Sequence, residues 1–327
     1  MKPALTFLEK ENDLRVTKYR KSPSDEAFLR ELQKKLKNFE QGLRDETETQ
    51  LPNIYILGLP RSGTTLLSQV LAHCLDVAWV TNLMARFWEV PVVGLRLSRL
   101  LGLFDQGVKL SSDYAVTDGI NGPHEFGYFW LKWFLYPGVQ IQPREIESRI
   151  DWGGLRKTLG AMNAEVRKPM IYKNSIPAFH LKKFYRIQKK SIFIFMSRDL
   201  ADVGVSIYHA RIRRYGAPDR WWSFRPQNYK TLSRLKPLEQ IQQQIMGLGT
   251  AFEREIQGVP QSRLLFVDYR ELCRSPMKVV ERVRRCLENP KGIPDVRAKV
   301  APLKFRTHRS QKLYREFKNL LNHTSLI

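Results

Sequence analysis

Five short apolar runs, most of them separated by helical patterns, constrain the fold of this chain more than any other feature of its sequence. Runs of this length without polar alternation are typical of strands buried on both faces of a parallel sheet. They lie at Ile54–Leu57, Val77–Val80, Met170–Tyr172, Ile192–Met196 and Leu264–Val267. The alternation of strand and helix predicts an α/β fold with a central parallel sheet flanked by helices. Ligands of such a sheet bind beyond the carboxyl ends of the strands.

The length of the chain fits one domain of this kind. At 327 residues, with 43% hydrophobic residues, it can bury a sizeable core. Apolar residues at three- and four-residue steps predict a helix over Asp25–Arg44, capped by Ser24, that packs against the main domain. We therefore predict a single domain with three parts, namely a helical lead at 1–50, a core at 51–290 and a basic segment at 291–327.

The charge of the chain favours anionic partners. Lys and Arg number 55 against 32 Asp and Glu, which gives a formal net charge of +23. Because the excess is spread along the chain, we expect no nucleic-acid partner, while a peripheral contact with an anionic membrane stays open. None of the three cysteines forms a CxxC pair, which predicts neither a disulfide framework nor a metal site. No stretch reads as a secretory signal or a membrane span, so a cytoplasmic protein is the simplest expectation; the alternative is an anchor outside this sequence.

The run GLPRSGTT at residues 58–65 follows the first predicted strand and precedes a helical pattern. Strand, glycine loop and helix in this order make an anion cradle, because backbone N–H groups and the amino end of the helix point at the bound group. The spacing fits the P-loop pattern, except that Thr64 stands where an NTPase requires lysine. The cradle residues are Arg61, Ser62, Gly63, Thr64, Thr65 and Leu66.

A second candidate phosphate site follows the strand Ile192–Met196. Arg198 leaves the carboxyl end of this strand, and Ser206 lies eight residues further on, about two helical turns into the next pattern. A cation and a hydroxyl in these positions can hold a second phosphate.

Together these motifs resemble those of the PAPS-dependent sulfotransferases, which transfer the sulfuryl group of 3′-phosphoadenosine 5′-phosphosulfate (PAPS). In that family a PKSGTT or PRSGTT loop binds the 5′-phosphosulfate, and an R-D-x-x-D-x-x-x-S segment, which stands here at 198–206, binds the 3′-phosphate. YKNS at 172–175 and FVDYREL at 266–272 are also similar to family segments. The resemblance covers roughly residues 50–290 and implies a single P-loop-like domain.

The resemblance also implies roles for individual residues. Arg61 is implied to stabilise the negative charge on the departing nucleotide, and Lys173 to contact the sulfuryl oxygens. The resemblance implies PAPS as the donor. Since sulfuryl transfer, like phosphoryl transfer, depends on positioned cations and amides, we expect no metal. Further implied nucleotide contacts come from Thr64, Thr65, Arg198, Ser206 and Tyr269.

The general base is not inherited from the family. Cytosolic members place a histidine in a Lys-Thr-His triplet, but this chain reads KNS at 173–175, and the stretch at 80–83, where other branches have a glutamate, holds no carboxylate. His124 and Glu125, in a loop before an aromatic helix, are the main candidates, with Glu89 next. The alternative is that Glu125 is structural, with its negative charge at the start of the helix favoured by the helix dipole.

Other histidines have weaker claims, and we expect His180 and His209 to be structural. The family's carboxyl-terminal Arg-Lys-Gly clamp is absent. Arg306 and Arg309 are candidate substitutes for it on the 3′-phosphate, although a solvated basic tail explains them equally well.

Helical insertions at about 83–165 and 208–260 are expected to form the acceptor site for a hydroxyl or amine substrate. Their aromatic clusters at Phe126–Phe134 and Trp221–Phe224 indicate an acceptor with apolar or stackable faces, such as a sugar or lipid, or else belong to the core. Two rival functions stay open. One is a nucleotide kinase or NTPase, and the other is a non-catalytic binder of acidic glycan or nucleic acid.

Overall fold

The computed structural model describes residues 9–44, 51–287, 294–304 and 310–322. The strands are β1 Ile54–Gly58, β2 Ala78–Trp79, β3 Ser112–Asp113, β4 Val116–Thr117, β5 Met170–Lys173, β6 Ile192–Ser197 and β7 Leu264–Asp268. The longer α-helices are α1 Pro23–Arg44, α2 Thr64–Cys74, α3 Pro91–Leu100, α4 Gly127–Trp133, α5 Trp152–Val166, α6 Leu181–Ile187, α7 Leu200–Tyr215, α8 Tyr229–Leu232, α9 Pro237–Ile256, α10 Tyr269–Arg274, α11 Pro276–Arg285 and α12 Gln311–Leu321. Short 3-10 helices lie at Thr17–Tyr19, Met84–Phe87, Arg144–Ser148, Ile176–His180 and Gln261–Arg263.

The central sheet contains five strands in the order β2-β5-β1-β6-β7, and every neighbouring pair is parallel. All five residues of β1 are buried, as expected for a central strand covered on both faces. The predicted α/β fold is therefore confirmed, and each strand of the central sheet lies where an apolar run predicted it; the hairpin of β3 and β4 was not predicted. The strand order reverses beside β1, which places the topological switch point, and the expected ligand crevice, at its carboxyl end.

Helix α1 is present and packs against the main domain as predicted, through the leucines of its apolar stripe, Leu32, Leu36 and Leu43. Its cap and its most buried positions differ from the prediction. Ser22 Oγ, and not that of Ser24, accepts the Asp25 N–H at the helix start, at 3.3 Å. Phe28 and Phe39 of the predicted apolar stripe are 68% and 58% exposed. The side chains that the helix buries most deeply are instead polar, Gln33 and Glu40.

Glu40 explains why a charge is buried in this helix. Its carboxylate accepts the backbone N–H groups of Val92 and Val93 at 3.1 and 3.0 Å, and it pairs with Arg44. These amides belong to the first turn of α3, where N–H groups have no intrahelical partner. A carboxylate at that end also interacts favourably with the helix dipole, so Glu40 fixes α1 on α3.

The aromatic cluster at Phe126–Phe134 lies mainly in the core. The rings of Phe126 and Phe129 stack with 4.5 Å between their centroids, and Trp130 packs edge-on against Tyr172 of β5 at 5.7 Å. Phe129, Trp130 and Phe134 are fully buried. For these side chains the core alternative holds, and they support the strand that ends in Lys173.

Helix α12 packs against α7, the helix that follows β6. Phe317 of α12 is completely buried, and a Cβ atom added to Gly204 would lie 2.7 Å from its ring. A glycine is therefore needed at this position for the two helices to approach closely. None of the helices in the described part of the chain combines the length and apolar character that a membrane span requires.

Candidate active site

A cavity of about 730 Å³ opens at the carboxyl ends of β1, β5, β6 and β7. Most of the residues that the sequence singled out line it. They are Arg61, Gly63, Thr64, Thr65, Leu66, Glu125, Lys173, Arg198, Ser206 and Tyr269. The structure thus brings together two motifs and two loops that are far apart in the chain. Arg306 and Arg309 lie outside the described residues, but Lys304, just before them, lines the cavity.

The loop between β1 and α2 presents free amides to the cavity. Gly63 caps α2 in a left-handed conformation, with φ of 108°, and no side chain caps the helix. The first-turn amides of Thr64, Thr65 and Leu66 therefore have no intrahelical acceptor and are available to an anion. Gly63 is also needed for close packing, since an added Cβ would lie 2.5 Å from the Tyr269 ring.

Ser62 has a structural place in this loop instead of a ligand-facing one. Its side chain is buried, and its Oγ donates to the Leu59 carbonyl at 2.8 Å. Its backbone N–H donates to the same carbonyl at 3.1 Å. The backbone N–H that the sequence assigned to the anion is thus used, with the hydroxyl, to close the turn.

Arg61 joins the two predicted phosphate motifs. Its Nε donates to Ser206 Oγ at 2.9 Å, and its backbone carbonyl accepts from Arg198 Nη1 at 3.2 Å. Burial, together with repulsion from Arg198, lowers the pKa of Arg61 to about 10, so it stays charged at neutral pH. Arg198 lies over the ring of Tyr269, with Cζ at 4.5 Å from the ring centroid. The cavity therefore carries two cations, Arg61 and Arg198, that contacts within the protein hold in place.

Lys173 and Glu125 form an ion pair that also lines the cavity. The Lys173 side chain is 2% exposed, and its Nζ donates to Thr65 Oγ1 and to Glu125 Oε1, each at 3.0 Å. The Glu125 side chain is 52% exposed, and Asn174 Nδ2 donates to its backbone carbonyl at 3.1 Å. Burial would raise the pKa of Glu125, but attraction and the hydrogen bond from Lys173 outweigh it, so the pKa lies below its ordinary value.

Residues 52–291 match the family model described as the Sulfotransferase family. The chain belongs to this family. Membership favours sulfuryl transfer over the rival functions of a nucleotide kinase, an NTPase or a non-catalytic binder. Comparison with curated protein sequences found no significant match.

Several solved sulfotransferase structures are similar to the chain at low identity. STF9 from Mycobacterium avium is 17% identical over 86% of this chain and 70% of that one, with a TM-score of 0.48. STF1 from Mycobacterium tuberculosis is 12% identical over 90% and 76%, with a TM-score of 0.47. A sulfotransferase from Alicyclobacillus acidocaldarius is 15% identical over 83% and 93%, with a TM-score of 0.38.

Of the predicted base candidates of this sulfotransferase, Glu125 lines the cavity, and His124 and Glu89 do not. His124 Nδ1 accepts the Phe126 N–H at 2.9 Å, so the proton of the neutral ring lies on Nε2 and no ring lone pair is left to accept another. Glu89 is buried, with Lys37 Nζ at 3.1 Å from its carboxylate. Of these three candidates, Glu125 is the one that lines the cavity.

The two histidines that the sequence predicted to be structural, His180 and His209, differ. His180 is fully buried and hydrogen-bonded to Tyr136 and Glu147, at 3.0 and 2.9 Å, which fits the structural role expected for it. His209, also expected to be structural, instead lines the cavity one helical turn beyond Ser206.

Further residues line the cavity, and only some of them could be found from the sequence. Trp222 and Phe224 belong to a predicted aromatic cluster and do line the cavity. Tyr114, Gln69 and Lys304 line it as well, without a local sequence signal. Their place depends on how distant segments fold against each other.

Proposed function

We propose that this sulfotransferase uses PAPS as its donor and transfers the sulfuryl group to a hydroxyl or amine of an acceptor. The observation that carries the proposal is a single cavity that holds Arg61, Arg198 and Lys173 around uncapped helix amides. Three cations and an amide cradle suit a donor with a phosphosulfate at one position and a phosphate at another.

For the nucleotide, we propose that the amides of Gly63–Leu66 and the hydroxyls of Thr64 and Thr65 bind the 5′-phosphate. Arg198 and Ser206 bind the 3′-phosphate. The Ser206 hydroxyl accepts from Arg61 Nε, and its own proton is left to donate to a phosphate oxygen. Tyr269, packed between Gly63 and Arg198, sets the wall against which the nucleotide lies.

In the transfer step, the acceptor oxygen or nitrogen forms a bond to sulfur as the bond from sulfur to the bridging oxygen breaks. The nucleotide leaves with the electron pair, and Arg61 stabilises the negative charge that develops there. The acceptor proton passes to Glu125, which acts as general base. Positioning and electrostatic stabilisation supply most of the rate, because no covalent enzyme intermediate is required.

Lys173 links donor binding to the strength of this base. In the structure its ammonium group is shared by Thr65 and Glu125. A sulfuryl group that draws Lys173 toward its oxygens weakens the contact with Glu125. Since that contact is what holds the pKa of Glu125 down, donor binding raises the pKa and makes Glu125 a stronger base.

Isothermal titration calorimetry with 3′-phosphoadenosine 5′-phosphate (PAP) tests the donor assignment. We expect PAP to bind in EDTA as tightly as with Mg²⁺, because Arg61, Lys173 and Arg198 supply the positive charge that a metal supplies in kinases. ATP should bind much more weakly, since it lacks the 3′-phosphate. Loss of PAP binding in EDTA, or equal affinity for ATP, would contradict the proposal.

The acceptor requires a separate screen. Trp222 and Phe224 line the cavity, which supports an acceptor with an apolar or stackable face, such as a sugar, an aromatic alcohol or a lipid. Incubation with radiolabelled PAPS and pools of hydroxyl- and amine-bearing compounds should label one of them. The Glu125→Gln variant is the matched control, because this protein should bind PAP and leave the same compound unlabelled.

A further inference from the structure

A small hairpin at the edge of the cavity contains two residues in an unfavourable backbone conformation. Strands β3 and β4 are joined by Tyr114 and Ala115, whose φ angles are 48° and 73°. A two-residue turn with positive φ at both positions favours sequences such as Asn-Gly. A tyrosine and an alanine held there are under backbone strain. The fold therefore tolerates strain in order to keep this turn.

The strained turn is fixed on both sides. The Asp113 carboxylate accepts from Lys18 Nζ at 2.5 Å and from Tyr19 OH at 2.8 Å, and Arg213 Nη2 lies at 3.4 Å. On the other side, Gln69 of α2 donates to the Ser111 carbonyl at 2.6 Å. The hairpin is thus tied to the amino-terminal segment, to α7 and to the helix that begins at the anion cradle.

The turn places the Tyr114 ring against the Arg61 guanidinium. The distance from Arg61 Cζ to the ring centroid is 4.9 Å, within the range of a cation–π contact. Arg61 also has a left-handed backbone, with φ of 71°, so strain is stored on both sides of this contact. Backbone strain that persists in this way is over-determined by its surroundings and tends to occur at functional sites.

The contacts of Arg61 leave part of the guanidinium for a ligand. Ser206 Oγ accepts from Nε, and Tyr114 covers one face. The two terminal nitrogens of Arg61 make no hydrogen bond within the described residues, and the side chain lines the cavity. A long arginine side chain would otherwise lose rotamer freedom on binding its ligand, and ordering it beforehand removes that cost.

We propose that Tyr114 is a positioning residue, whose ring holds the Arg61 guanidinium so that its terminal nitrogens meet the phosphosulfate end of the donor nucleotide. This inference rests on the proposed donor. Loss of one cation–π contact changes affinity by about 2- to 30-fold, depending on how dry the contact is. The half-buried position of Tyr114 places the expected change for PAP at about 3- to 10-fold.

Tyr114→Asn is the informative variant, because asparagine favours the left-handed turn while it removes the ring. We expect its thermal midpoint to equal or exceed that of the parent, and its Kd for PAP to rise about 3- to 10-fold. Tyr114→Phe retains the ring and should bind PAP as the parent does. Val116→Ala, an exposed change in the same hairpin, is the matched control and should change neither quantity.

A double-mutant cycle with Arg61→Gln separates positioning from general damage. In the Arg61→Gln background, Tyr114→Asn should raise the Kd for PAP by less than about 2-fold. Equal losses in both backgrounds, or parental affinity of Tyr114→Asn in the Arg61 background, would overturn the inference. A parent chain that fails to bind PAP would overturn the proposed donor and this inference together, whereas the other two results leave the donor intact.

Discussion

Replacing Glu125 with glutamine removes the proposed base while it keeps the shape of the side chain. The glutamine oxygen can still accept from Lys173 Nζ, which lies 3.0 Å from the carboxylate in the structure. The buried Lys173 ammonium then keeps two oxygen acceptors, the glutamine amide and Thr65 Oγ1, and Glu125 itself is 52% exposed, so the fold should be little affected. We expect kcat to fall by about 10²–10⁴-fold, or about 3–5 kcal/mol in the activation free energy.

Affinity for the nucleotide should stay close to that of the parent, because a base acts in the transition state and not in donor binding. Initial rates on the acceptor found by the screen, together with calorimetry with PAP, measure the two quantities separately. His124→Ala is the neighbouring control and should retain parental turnover. Near-parental kcat for Glu125→Gln, or a loss confined to PAP affinity, would refute the assignment of the base.

The pH profile gives a second test of the same reasoning. Glu125 accepts a proton only when ionised, so activity falls as the pH drops through its pKa. In the protein without donor, Lys173 holds the pKa of Glu125 below its ordinary value. The acid limb of kcat/KM for PAPS should therefore lie below about pH 4.5. Donor binding draws Lys173 away and raises the pKa, so the acid limb of kcat should lie at higher pH than that of kcat/KM. If the acid limbs of kcat and kcat/KM coincide, Lys173 keeps its ion pair with Glu125 when the donor binds.

Three further outcomes follow from the structure. Arg198→Ala should weaken PAP by about 2–4 kcal/mol in calorimetry and adenosine 5′-phosphate much less, because the proposed contact is to the 3′-phosphate and only the hydrogen bond to the Arg61 carbonyl is lost in both cases. Ser206→Ala should cost about 1 kcal/mol for PAP, and a smaller loss should remain with adenosine 5′-phosphate, since its hydroxyl also accepts from Arg61. Gly204→Ala should lower the thermal midpoint, corresponding to about 1–3 kcal/mol of overpacking against Phe317, and truncation of that ring to leucine should recover part of the loss.

The sheet was predictable because each strand is a local signal. A strand buried on both faces must be apolar at every position, so β1 and β6 are visible as runs in the sequence. The phosphate motifs were equally local, since a glycine loop at the start of a helix and an arginine at the end of a strand lie close together in the chain. Their joining by the Arg61–Ser206 hydrogen bond, across 145 positions, was not local and was not anticipated.

Other parts of the site depend on distant contacts that composition does not encode. Glu125 could be named as a candidate from its loop, but its preference over His124 required the folded cavity, which Glu125 lines and His124 does not. Tyr114 has no motif, because its role comes from a strained turn that several segments hold in place. The exposed Phe28 and Phe39 show the reverse error, because helical periodicity marked them as buried while only the leucines of the same stripe pack against the main domain.

Helix α7 belongs to two structures at once. Gly204 and Ser206 are two residues apart, which puts them about 200° apart around the helix, so one face receives Phe317 while the other holds Ser206 toward the cavity. A nucleotide that restricts the motion of α7 also restricts the motion of α12, which packs on it. Binding at the cavity should therefore raise the stability of α12 against local unfolding. Hydrogen exchange of the amides at 311–321 should therefore slow when PAP is added, which makes the far end of the described chain a reporter of the donor site.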